Sequence, residues 1–489
     1  MKAKAQRFKF APLVILISGL CTSCTVSDYF NSGTNVQKES INVEQANQQI
    51  AQAKAAEQAR LELEKQQQAE AKIVELMGNQ PIQFYSTLAK IYAAREFSPI
   101  WQDESAKKKF LHEYAGLVAS GISIRAAISL DAISVTPVEE IQHDILLTDA
   151  FLSYMYYTKK VPSLAQNWLY SQNSYKADKP EDELIELWLT AVQNNQNLDF
   201  VNILSASNHL YQETLQYISN SLAMTDKEKS STILYKLALN AQRLRIIPSF
   251  ENGIFVNIPS YQLNYYRDGK LVLNSRVIVG KEARKTPVMY SKLSNLIVNP
   301  PWHVPNTILT KDIVPKLARD PGYAERASLE IFDSKGNKIS AYSVNWSQYV
   351  NSKSVPFRIR QKAGDDSALG RFKFNMPSSD AIYLHDTPNR SLFNKTSRAL
   401  SSGCVRVSKS DELASVLLKE AGWSMDKKQR VLASKKTTSV PIQSDNPVYL
   451  YYVTTWIENG KVQTLPDIYG YDKLSAPNYI NWNTVQKYL

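Results

Sequence analysis

Cysteine and histidine are scarce in this sequence. Three cysteines and five histidines occur in 489 residues. Cys21 and Cys24 lie close to the N-terminus, so Cys404 is the one cysteine expected within the folded body, where it has no intramolecular disulfide partner. A disulfide-stabilised fold is therefore excluded. An unpaired thiol behind the turn residues Ser402 and Gly403 is more typical of a nucleophile than of a structural residue.

The histidines are too scattered to indicate a metal centre. His112, His143 and His209 have no cysteine or second histidine at a metal-ligand spacing, which favours surface positions or hydrogen-bonded core positions. We therefore predict no metal and no cofactor. The sequence also lacks a nucleic-acid-binding motif, so no nucleic-acid partner is expected.

An apolar stretch near the N-terminus is too short to span a bilayer as a mature helix. It covers the 11 residues from Phe10 to Leu20 and follows four basic residues. This order is typical of an export signal, which we predict over residues 1–23. The protein is therefore expected in the periplasm or cell envelope.

The end of this signal resembles a lipoprotein cleavage box, with Cys24 as the lipidated residue, although Cys21 stands where leucine is usual. Ordinary cleavage and a retained anchor are the alternatives to lipidation, and several lipid chains would hold the protein to a membrane more firmly than one. Thr25 lacks the acidic signal for inner-membrane retention. Attachment through Cys24 would therefore favour the outer over the inner membrane.

The chain is basic. Its net charge is +11, and removing residues 1–23 lowers this to +7, because four basic and no acidic residues are lost. In an envelope compartment, this excess favours contact with anionic cell wall or lipid headgroups over nucleic acid. Solubility alone is the alternative explanation. The composition, 21% charged and 44% hydrophobic, is sufficient for two or three globular domains.

Residues 24–78 have the composition of a polar spacer. The run from Val43 to Leu76 contains no proline or glycine and consists almost entirely of strong helix formers. We predict a helix, with a mobile polar tail as the alternative. A coiled coil is weakly indicated, because the first heptad core positions are apolar and the next two are charged: Val43, Ala46, Ile50 and Ala53, then Glu57 and Arg60.

Residues 79–245 show the apolar spacing of helices. Phe84, Leu88, Ile91 and Tyr92 form one predicted apolar face. Prolines at positions 162 and 180 punctuate the predicted segments. We therefore expect an all-α scaffold domain of several short helices without catalytic residues.

The apolar period changes from 3.6 to 2 at Gly253, which predicts a mostly β domain over residues 250–489 and an α+β protein. Asp268-Gly269 and Asn459-Gly460 each separate two β-type runs and predict hairpins. Residues 302–356 are less regular and include a predicted helix from Thr310 to Arg319. This insertion is a candidate lid, with a simple long connection as the alternative.

Two short strands bring the candidate chemistry together. Ile382 to His385 reads as a strand that ends in a turn, and Cys404 opens a second strand through Val407. Strand ends joined by a loop of this length can lie side by side, which would bring the imidazole of His385 to the thiol of Cys404. After the second strand, Ser408 is predicted to cap a helix.

This arrangement suits acyl transfer. His385 would activate the thiol and later donate a proton to the leaving amine. The amides of Gly403 and Cys404 could stabilise the oxyanion. Arg406 would share a face with Cys404 because side chains alternate along a strand, and it either binds a carboxylate or holds the loop. His303 is the competing base.

The pattern His385-Asp386-Thr387-Pro388 followed by Ser401-Ser402-Gly403-Cys404-Val405-Arg406-Val407 closely resembles the catalytic motif of L,D-transpeptidases with a YkuD-type domain. The resemblance is strongest to their larger YcbB-like (LdtD-like) branch and extends over most of the mature chain. Further segments that carry it include Asn299-Pro300-Pro301-Trp302, Asp320-Pro321-Gly322-Tyr323 and Leu147-Thr148-Asp149-Ala150.

The resemblance implies an all-α scaffold domain, then a mostly β catalytic domain with a capping subdomain inserted at about residues 302–356. It also implies a reaction on peptidoglycan stem peptides, in which Cys404 attacks the bond between diaminopimelate and D-Ala. D-Ala leaves, a thioester forms, and the side-chain amine of a neighbouring stem resolves it as a 3-3 cross-link, without ATP or a metal.

The resemblance also assigns roles to individual residues. Cys404 is the nucleophile and His385 the base, oriented by the backbone carbonyl of Asp386. Gly403 and Ser402 belong to the oxyanion and positioning loop. The residues expected to contact substrate are Tyr383, Arg406 and Trp302.

Two departures from the family pattern stand out. Ser402 replaces the histidine that many members have before the Gly-Cys pair, which we interpret as a marker of the larger branch. We also find no repeat-like peptidoglycan-binding module between the scaffold and catalytic parts. Wall affinity would then come from the catalytic cleft, the positive charge or the spacer.

Three functions stay open at this point. The first is the transpeptidase, and the second is an L,D-carboxypeptidase or other hydrolase in which water resolves the same thioester. The third is a catalytically silent wall-binding scaffold, which the intact Cys404, His385 and Arg406 argue against. The sequence does not predict an oligomeric state.

Overall fold

The computed structural model describes residues 36–171, 175–224, 227–379, 381–442, 446–472 and 476–489. The predicted export signal and Cys24 lie outside these residues. The chain divides into two compact units, residues 1–68 and 69–489. No helix in the described ranges is both long and apolar enough to cross a membrane.

The described part of the predicted spacer, from residue 36 onward, is helical. Helix α1 runs from Val36 to Met77 without interruption, as expected from a segment free of proline and glycine between residues 43 and 76. The side chains from position 45 to position 65 are all exposed, including Ile50 at a predicted heptad core position. The charged positions that follow Ala53 therefore lie on a helical segment that is exposed on every side.

Helices also form the region that follows. Each presents apolar side chains to a shared core, and the predicted face of Phe84, Leu88, Ile91 and Tyr92 is buried. The helices are α2 (Tyr85–Ala93), α3 (Glu104–Ala119), α4 (Ile124–Val135), α5 (Ile141–Leu169), α6 (Asp182–Gln193), α7 (Asn197–Leu204), α8 (His209–Met224) and α9 (Lys227–Arg245).

The expectation that Pro162 separates two helices is wrong. Helix α5 continues through Pro162 to Leu169. Val161, Ala165 and Trp168 are buried on both sides of the proline, so tertiary packing outweighs the loss of one helical hydrogen bond. Pro180 does precede a helix start, at Asp182.

The β domain is built on one curled, mixed sheet. Its strands are β1 (Gly253–Asn257), β2 (Gln262–Arg267), β3 (Lys270–Gly280), β4 (Met289–Lys292), β5 (Asn295–Val298), β10 (Phe372–Asn375), β11 (Leu384–His385), β12 (Ala399–Ser401), β13 (Val405–Val407), β14 (Thr438–Pro441) and β15 (Pro447–Tyr451), numbered in chain order with β6–β9 in the insertion described below. The strand order is β14-β5-β10-β11-β13-β3-β2-β1-β15-β4, and β12 pairs with β3.

Both predicted hairpins are present. Asp268 and Gly269 join β2 to β3, and Asn459 and Gly460 join β16 (Thr455–Glu458) to β17 (Lys461–Thr464). All four turn residues have positive φ, the geometry for which Asp-Gly and Asn-Gly are suited. The β-type run that precedes Asn459-Gly460 is divided between β15, which ends at Tyr451, and β16, which begins at Thr455.

The insertion has a hydrophobic core of its own, which includes Leu317, Trp346 and Ile359. We call residues 302–361 the inserted subdomain. Its sheet, in the order β6-β9-β7-β8, contains β6 (Trp302–His303), β7 (Leu329–Phe332), β8 (Lys338–Ile339) and β9 (Arg358–Gln361). Its helices are α10 (Asn306–Ile308), α11 (Val314–Arg319) and α12 (Tyr323–Arg326), with a π-helical turn at Leu309–Ile313 between the first two.

Helices α13 (Ser410–Glu420) and α14 (Met425–Ala433) follow β13, and α15 (Trp482–Tyr488) ends the chain. The prediction that Ser408 caps the helix after β13 is wrong, because Lys409 is the N-cap residue and makes no side-chain cap. The amide of Ser408 instead donates to the Arg276 carbonyl of β3, which keeps this residue in the sheet.

Buried ionic contacts join the scaffold helices to the β domain. Arg243 of α9 is fully buried, pairs with Asp472 at 2.6 Å and donates to the Tyr471 carbonyl. The C-terminal carbonyl of Leu489 meets His112 Nδ1 of α3 at 3.1 Å. The last segment of the chain therefore returns to the scaffold.

Candidate active site

Strands β10, β11 and β13 place three functional side chains on one face of the sheet. Lys373 of β10 is the antiparallel partner of His385, and His385 is the parallel partner of Arg406. Directly paired residues point to the same face. The predicted side-by-side arrangement of the two strand ends is thus confirmed, and Lys373 joins it from a third strand.

Cys404 lies at the start of β13, next to the end of β11. The amide of Val405 donates to the Tyr383 carbonyl at 3.2 Å, which places Cys404 beside Tyr383 and diagonal to His385. Because side chains alternate along a strand, Cys404 and Arg406 share a face, as do Tyr383 and His385. The thiol therefore faces the same side of the sheet as the imidazole.

The turn before Cys404 requires glycine. Gly403 has φ +119°, a conformation that residues with a Cβ rarely adopt. Its amide donates to Ser401 Oγ at 3.1 Å, and Ser401 Oγ donates to the Cys404 carbonyl at 2.6 Å. The Gly403 amide, predicted as an oxyanion donor, is thus engaged within the loop. Within the described residues, the Cys404 amide has no acceptor and is the donor available for an oxyanion.

The buried side chain of Thr286 stabilises the turn at Gly403 by hydrogen bonds. Thr286 Oγ1 donates to the Gly403 carbonyl at 2.7 Å and accepts from the Gly280 amide at 2.8 Å. The Thr286 amide donates to the Tyr469 hydroxyl, which in turn donates to the Gly280 carbonyl at 2.6 Å. A Cβ on Gly280 would lie 2.2 Å from the Arg284 carbonyl, so only glycine permits this close approach.

His385 is buried and held in one tautomer. Its Nδ1 lies 2.5 Å from the Asp386 carbonyl. Since a carbonyl only accepts, Nδ1 carries the proton and Nε2 is left as the basic atom. Burial, with help from the Arg406 and Lys373 charges, lowers the pKa of His385 to about 3. The imidazole is therefore neutral at neutral pH and able to accept a proton.

The side chain of Asp386 has a structural role that the sequence did not indicate. Its carboxylate is buried and accepts from the Arg371 amide, Ser410 Oγ and Arg390. These bonds join β10, the loop after β11 and the start of α13. Because the Asp386 carbonyl orients His385, they also fix the position of the base.

Tyr383 connects the nucleophile to the inserted subdomain. Its hydroxyl interacts with the side chains of Cys404 and Trp302, and burial raises its pKa. Burial also raises the pKa of Cys404, which the contacts with Tyr383 partly offset. The Cys404 side chain is therefore a neutral thiol at neutral pH.

Trp302 reaches the site, whereas His303 does not. Neighbouring residues of β6 point in opposite directions, so the contact of Trp302 with Tyr383 directs His303 away from it. His303 is exposed and is paired with Arg360 of β9. The geometry thus favours His385 over His303 as the base.

Lys373 is the functional residue that sequence reasoning missed. It stands between buried Phe372 and Phe374, and its ammonium lies 4.1 Å from the centre of the Tyr383 ring. A lysine that alternates with core phenylalanines must point to the opposite, functional face, and this pattern was a usable signal. Burial lowers the pKa of Lys373, whereas its interaction with Cys404 raises it.

Ser402 links the nucleophile loop to the inserted subdomain through Arg284. The Arg284 guanidinium donates to Ser402 Oγ at 2.9 Å and pairs with Asp312 at 2.5 and 3.1 Å. Asp312 lies in the π-helical turn. In the described residues, no cluster of histidine, cysteine and acidic side chains could hold a metal ion.

Known protein families match both the helical and the β part of this chain. Residues 251–442 match the family model of the YkuD L,D-transpeptidase catalytic domain, and residues 86–217 match a scaffold domain. A Haemophilus influenzae protein named "Putative L,D-transpeptidase" is 54% identical over 442 residues, which cover 90% of this chain and 89% of that protein. The chain belongs to the L,D-transpeptidase family with a YkuD-type catalytic domain.

Proposed function

We propose that this protein is a peptidoglycan L,D-transpeptidase that forms 3-3 cross-links through a Cys404 thioester. The observation that carries the proposal is the common face of Cys404 and His385 on adjacent parallel strands, with Nδ1 of His385 committed to the Asp386 carbonyl. Membership of the family supports the reaction class.

In the first half-reaction, the Cys404 sulfur attacks the diaminopimelate carbonyl that precedes D-Ala. The thiol proton passes to Nε2 of His385 and then to the D-Ala nitrogen as the carbon–nitrogen bond breaks. The Cys404 amide stabilises the oxyanion. D-Ala leaves and a thioester remains.

In the second half-reaction, the side-chain amine of diaminopimelate on a second stem attacks the thioester carbonyl. The carbon–sulfur bond breaks, and one amine proton returns through His385 to the sulfur. A new amide replaces the old one, so the reaction needs no ATP. If water attacks instead, the product is a tripeptide, and the protein is an L,D-carboxypeptidase.

Intact-protein mass after exposure to a carbapenem tests for a live nucleophile. We expect one covalent adduct on the full chain and none on Cys404→Ala. A folded wild-type protein without any adduct would contradict both enzyme functions and leave the silent wall-binding scaffold. His385→Gln should form the adduct far more slowly, because the thiol then has no base.

Product analysis separates the transferase from the hydrolase. Purified protein and tetrapeptide stems should yield cross-linked dimers and free D-Ala. Tripeptides without dimers would establish the hydrolase and reject the cross-linking function.

We further propose that the protein acts in the periplasm or envelope, where its substrate lies, with attachment through Cys24 to the outer membrane. The four basic residues before the apolar stretch support export, and the cysteine after Thr22-Ser23 supports lipid attachment. Membrane fractionation of cells that express wild type or Cys24→Ala is the test. An unchanged distribution would contradict lipid attachment.

A further inference from the structure

Two partly buried cations border Cys404. Lys373 and Arg406 lie on either side of His385, in register with it, and each interacts electrostatically with Cys404. Neither forms a salt bridge within the described part of the chain. Burying an unpaired charge is costly, so the site is prepared for an anion.

Arg406 also has an unused donor. Its Nε is buried and has no hydrogen-bond partner among the described residues. The Lys373 ammonium is held over the Tyr383 ring, on the same side of the sheet as Cys404. Both cations therefore point toward the place where the substrate must lie.

The carboxylate next to His385 cannot serve these cations. Asp386 follows His385 directly and so points to the opposite face of the strand. Its oxygens accept from Arg390, Ser410 and the Arg371 amide. The described part of the chain therefore supplies no salt-bridge carboxylate to Lys373 or Arg406, which leaves both cations available to an anion of the substrate.

We propose that Lys373 and Arg406 form a receptor for the α-carboxylate of the D-amino residue whose nitrogen leaves or enters at the acyl carbon. This inference rests on the proposed function. The leaving D-Ala carries a carboxylate on the carbon that bears its nitrogen. The attacking amine of meso-diaminopimelate also stands on a D-configured carbon with a carboxylate.

The receptor therefore binds the leaving D-Ala and the attacking diaminopimelate amine in the same orientation. Water has no carboxylate, so the receptor favours the amine over water as the acceptor. Binding of a carboxylate between Lys373 and Arg406 also changes the pKa of His385. The charges of Lys373 and Arg406 lower the pKa of this base, so a carboxylate between them raises the pKa toward the range suited to proton transfer. Substrate binding thus helps to activate the base.

Alkylation of Cys404 tests the receptor without any peptidoglycan substrate. Iodoacetate carries a carboxylate, whereas iodoacetamide is neutral, and peptide mass spectrometry reads the rate at Cys404 in the full chain. We expect Lys373→Met to lower the iodoacetate-to-iodoacetamide rate ratio about tenfold, since hydrogen bonds to charged groups are strong. Lys373→Arg should retain the ratio, and so should Lys395→Met, which removes an exposed lysine.

An equal ratio in wild type and Lys373→Met would overturn the receptor. Comparable thermal unfolding of the variants shows that a changed ratio does not come from misfolding. Because the readout is alkylation, it does not depend on whether the protein cross-links stems.

Acceptor competition then tests the receptor in the reaction. The acceptors are a diaminopimelate stem and the same stem with the carboxylate beside its attacking amine converted to an amide. In wild type, the acid should be favoured about tenfold or more in kcat/KM, mainly through KM, and Lys373→Met should abolish this preference. Lys373→Met should also raise the ratio of tripeptide to dimer.

The outcomes separate the two proposals. If dimers form and the acid-to-amide preference is the same in wild type and Lys373→Met, the receptor is wrong and the transpeptidase stands. If neither acceptor yields dimers but the alkylation ratio falls in Lys373→Met, the receptor stands and the cross-linking function fails.

Discussion

Arg284 and Asp312 form a two-point ion pair between the loop after β3 and the π-helical turn of the inserted subdomain. The same guanidinium donates to Ser402, two residues before Cys404. One side chain therefore couples the position of the inserted subdomain to the nucleophile loop. The contact is made by side chains alone, so it can open without loss of either fold.

Arg284→Met should loosen this coupling. We expect faster hydrogen exchange in the segment 306–319 and carbapenem acylation slower by about two- to tenfold, whereas stability should change by less than about 1 kcal/mol, because a partly exposed pair contributes little to it. Arg326→Met is the matched control, since Arg326 pairs with Asp320 within the inserted subdomain. Equal exchange in the two variants would refute the coupling.

Thr286→Val should destabilise the loop of residues 401–404, although valine has nearly the same shape as threonine. The change leaves the buried Gly403 carbonyl and Gly280 amide without their partner, at a cost of about 1–3 kcal/mol. We expect a lower unfolding midpoint and a lower acylation rate. Thr286→Ser keeps the hydroxyl and should retain most of both. Wild-type kinetics in the valine variant would show that the bond to Gly403 does not position Cys404.

Gly370→Ala tests the carboxylate of Asp386. Gly370 has φ +59°, and a Cβ there would lie 2.3 Å from Asp386 Oδ2, so the carboxylate must move and disturb the carbonyl that orients His385. Acylation should fall by about tenfold or more, together with stability. Gly422→Ala is the control, because Gly422 has φ +78° with no atom within 4 Å and therefore reports backbone strain alone. Equal acylation rates in the two variants would contradict this role.

The depressed pKa of His385 predicts an unusual pH dependence. The folded protein leaves His385 unprotonated from its ordinary value of 6.5 down to about 3, whereas the unfolded chain binds a proton there. Unfolding free energy should therefore fall as pH drops through this window, and it should be unaffected by this group above 6.5. His385→Gln should lose less stability over the same window when both are titrated by chemical denaturation.

Acylation by a carbapenem gives an independent reading of the same group. The acid limb of its second-order rate constant should lie well below the ordinary histidine value, because this parameter reports the free enzyme. An acid limb of this rate constant with its midpoint near pH 6.5 would contradict the role of buried His385 as the base and would indicate another histidine.

Local sequence predicted the parts of this fold that depend on neighbouring residues. Asp-Gly and Asn-Gly suit the positive φ of tight turns, so both hairpins could be identified from the dipeptides Asp268-Gly269 and Asn459-Gly460. The long α1 follows from composition. Pro162 wrongly predicted a helix end, because the packing of α5 outweighs the local effect of proline. Ser408 wrongly predicted a helix cap, because its amide pairs with β3 instead.

The sequence by itself indicated the nucleophile and base proposed above, because Cys404 is the one cysteine expected in the folded body and His385 ends a strand before a turn. Tertiary structure alone decided which groups surround them. Lys373, Thr286 and Asp312 come from elements far apart along the chain, and their roles exist only after strand register and loop approach bring them together. Register is a property of several strands at once, which no single segment encodes.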